Sequence, residues 1–141
     1  MSAAQVKGNG YVFGAYIHCA WTAAGGIVGD PSGKSFLFSL VNKTGKVVRF
    51  SLRGKDHAIE VRANDLLFGA GKMEGDKQTG WANFGIMING LAADQKDANV
   101  ANDSKDHNAP YQTDDPATPC DITFFAGQRY FAAEEIEVFQ L

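Results

Sequence analysis

With 141 residues, 45% of them hydrophobic, the chain can bury one substantial core and needs neither disulfides nor a metal to hold a single domain together. A formal net charge of -3, with 13 Lys and Arg scattered along the chain, excludes the clustered basic surface that tracks nucleic-acid phosphates. Cys19 and Cys120 are too few for a disulfide framework, and no apolar run reaches the roughly 18 residues of a membrane span.

The opening MSAAQVKGNG has no apolar signal-peptide core and reads as an N-terminal extension over residues 1–10, so a cytoplasmic location with reduced thiols is expected. Tyr11 to Ile17 follows as a strand whose two alternating sets are both apolar, which predicts cover on both faces. Trp21 to Lys34 is turn chemistry, with Gly25, Gly26, Gly29, Asp30, Pro31 and Gly33. Ser35 to Val41 and Val47 to Leu52 read as strands that pair across the turn NKTGK. Ala58 to Arg62 alternates cleanly, predicting a half-exposed strand with Ile59 and Val61 inward and Glu60 and Arg62 outward.

Asp65 to Ile88 holds two apolar segments around a glycine-rich connection, and Phe-Gly steps recur at Phe13-Gly14, Phe68-Gly69 and Phe84-Gly85. A glycine inside an apolar strand gives up packing area, so it belongs where another backbone or a large side chain comes close. Residues 91–119 read as a long polar loop, with only a weak helical pattern from Gly90 to Val100. Strands resume at Asp121 to Phe125 and Tyr130 to Leu141; in the last, Ile136 and Val138 share one face and Glu137, Phe139 and Leu141 the other. Short strands, Gly-rich turns and no sustained helical period predict a mainly-β chain, an antiparallel two-sheet β-sandwich with long loops and at most short helices, as one domain over 11–141.

Candidate chemistry is sparse. Gly29 to Ser35, GDPSGKS, ends like a phosphate-binding loop, but Val28 stands where that loop needs its first glycine and a strand follows where it needs a helix. Asp103, Asp106 and Asn108 could offer oxygens to calcium, yet the spaced register of a calcium loop is missing and Lys105 interrupts it. His18, His57, Cys19 and Cys120 have no zinc-ligand spacing, and adjacent His18 and Cys19 on a strand would face opposite sides, which makes them a poor nucleophile–base pair. Glu134, Glu135 and Glu137 read as solvated rather than as an acid–base set. Trp21 and Trp81, expected in Gly-rich loops, are the candidate binding residues, able to anchor a partner or stack on a sugar.

The ordered set NGYVFGAY, Trp21, SFLFSL, LLFGAG, NFGIMI, Cys120 with Thr123-Phe124, and YFAAEEIEVFQL resembles the TLDc domain of the oxidation-resistance type. The terminal EIEVFQL is the most specific of these motifs, and the resemblance covers nearly the whole chain. The chain is similar to a divergent, N-terminally shortened member, with polar expansions at Lys72 to Asn83 and Asp94 to Pro119. The resemblance implies a β-sandwich, no transferable catalytic residues and no cofactor, and a family linked to oxidative-stress protection and to binding of the vacuolar proton pump (V-ATPase). A shortened start predicts an open sheet edge completed by a protein partner or by a homo-oligomer. The function expected is thus a non-catalytic protein-interaction module or a subunit of a larger assembly; the alternative is a calcium- or carbohydrate-binding sandwich. A cysteine-dependent redox activity through Cys19 or Cys120 is a third reading.

Overall fold

The computed structural model describes residues 2–8, 10–20, 25–53, 55–63, 65–74, 77–89, 99–101, 111–115, 117–118, 124–128 and 130–141. None of these is helical. The chain forms β1 (Ser2–Gly8), β2 (Tyr11–Ile17), β3 (Gly26–Val28), β4 (Phe36–Val41), β5 (Val48–Leu52) and β6 (Ile59–Val61). It continues with β7 (Asp65–Glu74), β8 (Lys77–Asn89), β9 (Asn99–Ala101), β10 (Tyr111–Thr113), β11 (Tyr130–Phe131) and β12 (Glu135–Gln140). They assemble into two 6-stranded sheets, ordered β10-β5-β4-β2-β1-β12 and β11-β9-β8-β7-β6-β3. Every pairing is antiparallel, and the fold is the expected two-sheet sandwich.

Period-two alternation decides which side chains meet between the sheets. In the first sheet Phe13, Ala15 and Ile17 of β2, Leu37 of β4 and Phe50 of β5 are fully buried, and register sets Ala15 against Leu37 and Leu37 against Phe50. The second sheet answers with Ile59, Phe68 and Ile86, which lie side by side across β6, β7 and β8. Aromatic rings close the core: Phe50 lies 5.0 Å from Phe125 and 5.6 Å from Phe124, while Phe13 lies 5.3 Å from Phe131. Tyr111 is 1% exposed and donates its hydroxyl to the Ala58 carbonyl at 2.9 Å, so β10 is pinned to the segment that enters β6. Buried tyrosines need such an acceptor, because the hydroxyl would otherwise be desolvated without return.

Glycine placement follows two different causes. At Gly85 a Cβ would stand 2.3 Å from Leu37 Cδ1 and 3.2 Å from the Phe68 carbonyl, so the opposite sheet occupies the space a side chain would need. Gly69 instead has φ of 70°, a left-handed conformation that glycine adopts without the steric penalty of a Cβ. Its N–H bonds the Ala58 carbonyl at 3.0 Å.

Several expectations change, and within Trp21 to Lys34, read as turn chemistry, Gly26–Val28 is a strand. The stretch read as two apolar segments around a glycine-rich connection is one long hairpin, in which Glu74 pairs with Lys77. Cross-strand hydrogen bonds satisfy the backbone there even though the side chains are polar, a gain that side-chain hydropathy does not register. The short step from Ala70 to Lys72 on β7 faces the longer step from Thr79 to Phe84 on β8, so residues 80–83 bulge. Trp81 therefore lies in a bulged strand rather than a loop. Second, Glu60 is 7% exposed instead of solvated, and Leu67, its cross-strand partner, is 2% exposed, so the face opposite the core is covered at these positions. Third, Ser2–Gly8 is a strand between β2 and β12, although read as an extension. Within the span read as a polar loop, 99–101 and 111–113 are strands; the weak helical pattern lies mostly on 90–98, outside the described residues.

Candidate functional site

Trp21, Asp103, Asp106, Asn108 and Cys120 lie outside the described residues. Among the described residues no group of three or more His, Cys, Asp or Glu side chains converges as metal ligands, and no helix is long and apolar enough to cross a membrane. Four arrangements carry physical content.

The GDPSGKS turn is a corner that supplies its own anion. Asp30 is 2% exposed, and its carboxylate accepts hydrogen bonds from Ser32 N (3.0 Å), Ser32 Oγ (2.5 Å), Ser35 N (2.8 Å) and Ser35 Oγ (2.7 Å). The Ser35 hydroxyl accepts in turn from the His18 N–H at 3.0 Å, which ties the corner to the end of β2. Burial alone would raise the Asp30 pKa, but the bonds from Ser32 and Ser35 outweigh it and hold it at about 2. The backbone donors of this turn are engaged within it, those of Ser32 and Ser35 by the Asp30 carboxylate, that of Gly33 by the Asp30 carbonyl and that of Lys34 by Ser32 Oγ. Cys19 is half-buried, and burial, then the Asp30 charge, push its thiol pKa up, which lowers its thiolate content and its reactivity.

A second polar group sits beside β6. Glu60 Oε1 accepts from Arg62 Nε at 2.7 Å, and Glu60 Oε2 lies 3.4 Å from His57 Nε2 without hydrogen-bond alignment. His57 is 8% exposed; burial lowers its pKa, against the raising effect of Glu60. A buried carboxylate is tolerable only when paired, so Arg62 holds Glu60 on the covered face.

The third is a cavity of about 630 Å³ where the β4–β5 turn, including Lys46 and Val47, faces Thr113 to Asp115. It lies beyond the last residue of β10, where β5 continues past its short neighbour.

The fourth is the rim formed by β12. Among the described residues this strand is outermost in its sheet. Its register with β1 sets Ile136 against Val6 and Val138 against Ala4, on the same face as the buried Phe13 and Ala15. Yet Ile136 is 41% and Val138 57% exposed, because the core does not extend as far as β12. On the opposite face Phe139 and Leu141 are exposed as well. Glu135 is ion-paired to Lys7, and Glu137 accepts from Gln5 Nε2 at 3.5 Å. An outermost strand with apolar side chains uncovered on both faces, backed by a fully paired neighbour, is the physical description of a docking edge.

The family model of the TLDc domain matches residues 5–141, from within β1 to the end of the chain. The chain belongs to the TLDc domain family. No curated protein gave a match. In this TLDc domain the motifs that carried the resemblance are structural: NGYVFGAY spans β2, LLFGAG and NFGIMI lie in the long hairpin, and EIEVFQL is β12 with Leu141. The most specific family motif thus coincides with the rim. Sequence reasoning placed Ile136 and Val138 on one face but missed that the rim exposes them; the available signal was apolar character on both faces of a strand.

Proposed function

We propose that this protein is a non-catalytic protein-interaction module of TLDc type that docks through the β12 rim. One observation carries the reading: Ile136, Val138, Phe139 and Leu141 stand exposed at an outermost strand. Exposed apolar side chains on both faces of an edge strand, beside charged neighbours, suit association with another protein. The family resemblance supplies the candidate partner, the vacuolar proton pump, with protection against oxidative stress as the cellular consequence and a cytoplasmic location as its setting.

The test is flotation of the purified chain with vesicles that contain the purified pump. Co-flotation that requires the pump, and that is lost in the Ile136→Lys/Val138→Lys variant with an unchanged far-ultraviolet spectrum, is the expected result. Equal flotation with pump-free vesicles, or none with either, overturns the assignment of the partner.

A further inference from the structure

We propose that the open edge of β12 is a strand-pairing site for an extended partner segment in which basic and β-branched apolar residues alternate. The inference rests on the reading of this domain as an interaction module and names the chemistry of its partner.

The template is β1. It runs antiparallel along one side of β12 from Ser2 opposite Gln140 to Lys7 opposite Glu135. On the outer face it sets Lys7 against Glu135 and Gln5 against Glu137. On the inner face it sets Val6 against Ile136 and Ala4 against Val138. A strand arriving on the other side meets the same side chains from the opposite flank, since directly opposed residues in an antiparallel pair share a face. Its outer-face residues are therefore cations that reach Glu135 and Glu137, and its inner-face residues fill the space beside Ile136 and Val138. Room for this remains, because the Glu135 side chain is 48% exposed even while paired to Lys7, and Val138 is 57% exposed. Besides Glu135 and Glu137, nothing in the strand blocks pairing: β12 contains neither Pro nor Lys, and its pairing with β1 runs without a bulge.

Charge complementarity decides against a second copy of the chain as the occupant. EIEVFQL contains no Lys or Arg. Antiparallel self-pairing centred on Val138 sets Glu137 opposite Phe139, and centring it on Glu137 sets the two carboxylates against each other. Neither register offers a cation to either glutamate, whereas a basic strand offers one to both.

The test uses the full chain and fluorescein-labelled peptides in polarisation titrations at low salt. One peptide is Thr-Val-Lys-Val-Lys-Val-Thr, the second has Glu in place of Lys, and the third is the Lys peptide with alternate residues N-methylated to block strand pairing. The Lys peptide binds about tenfold tighter than the Glu peptide, and N-methylation abolishes binding. Glu137→Gln, a milder change that keeps the fold, reduces the preference, and Glu137→Lys, which leaves one carboxylate and one ammonium on the outer face, abolishes it. Equal binding of the two charged peptides, no binding of either, or an unchanged preference in Glu137→Lys overturns the proposal. So does a wild-type dimer in sedimentation that blocks the peptide, which makes a second copy the occupant. If Glu137→Lys still floats with pump vesicles as the wild type does and no peptide discrimination is seen, the module reading stands and the strand-pairing site falls. Peptide discrimination without pump binding gives the converse result.

Discussion

Asp30 shows how much one buried carboxylate can hold together. Four donors converge on it from a turn of a few residues, and its pKa stands at about 2 against an ordinary 3.8. A folded-state pKa below the unfolded value means that the stabilisation is complete above pH 3.8 and is lost as pH falls towards 2. By linkage the contribution is of order 2 kcal/mol. Asp30→Asn should therefore lower the unfolding free energy at pH 7 by about 2 kcal/mol and flatten the acid limb between pH 4 and pH 2. Urea titrations of both proteins across that range check it. His57 acts near neutrality. Burial lowers its pKa below 6.5 in the folded state, so the unfolded chain takes the proton first and stability declines as pH falls below 6.5. In His57→Gln the thermal midpoint should change less between pH 7.5 and pH 5.5 than in the wild type, as differential scanning calorimetry would show.

At the scale of elements, the long β7–β8 hairpin separates two kinds of position in one strand. Gly85 meets the opposite sheet through Leu37, and any side chain there forces Leu37 or the Phe68 carbonyl to move. Gly85→Ala should cost about 1–3 kcal/mol, the usual cost of overpacking, and Gly85→Val should fail to fold cooperatively. Leu37→Ala removes the opposing methyl groups, so the Gly85→Ala/Leu37→Ala pair should cost less than the two single changes together. Additive costs in chemical denaturation would show that the contact does not govern this position. Trp81 lies in the bulge a few residues away; Trp81→Ala should keep the cooperative thermal transition that Gly85→Val loses. The outer face of the first sheet has its own packing. Tyr16 and Phe36 stack with centroids 5.1 Å apart, and the Arg49 guanidinium lies 4.1 Å from the Phe36 centroid. These groups present their faces to one another, which makes the stack a fastening between β2, β4 and β5.

For the molecule as a whole, the contrast is between a closed core and an open rim. Phe13 and Ala15 in β2 are fully buried, while two strands along the same sheet face Ile136 and Val138 stand exposed. Exposed positions tolerate substitution for stability and not for association. Val138→Lys should thus shift the unfolding free energy by no more than about 0.5 kcal/mol while abolishing capture of a partner at this edge. A loss of stability comparable to a core truncation would mean that Val138 is packed in solution.

Composition and period-two alternation alone determined the sheet-forming character of the chain, the pairing of β4 with β5 across the NKTGK turn and the face-sharing of Ile136 with Val138, because these follow from local backbone geometry. They did not determine the inward face of β4, where Leu37 and Ser39 are buried and Leu40 is exposed. The ordered motifs likewise carried the family. Only the tertiary structure decided which faces are covered: Glu60 became buried and Val138 exposed although the alternation around them is alike. Register and the extent of the opposing sheet govern burial, and both depend on residues far apart in the chain. The same long-range packing separated Gly85, excluded from carrying a side chain by Leu37, from Gly69, selected for its left-handed backbone. It also turned GDPSGKS from an apparent anion loop into a corner whose anion is Asp30, since its donors at Ser32 and Ser35 are taken by a carboxylate that only the folded turn brings to them.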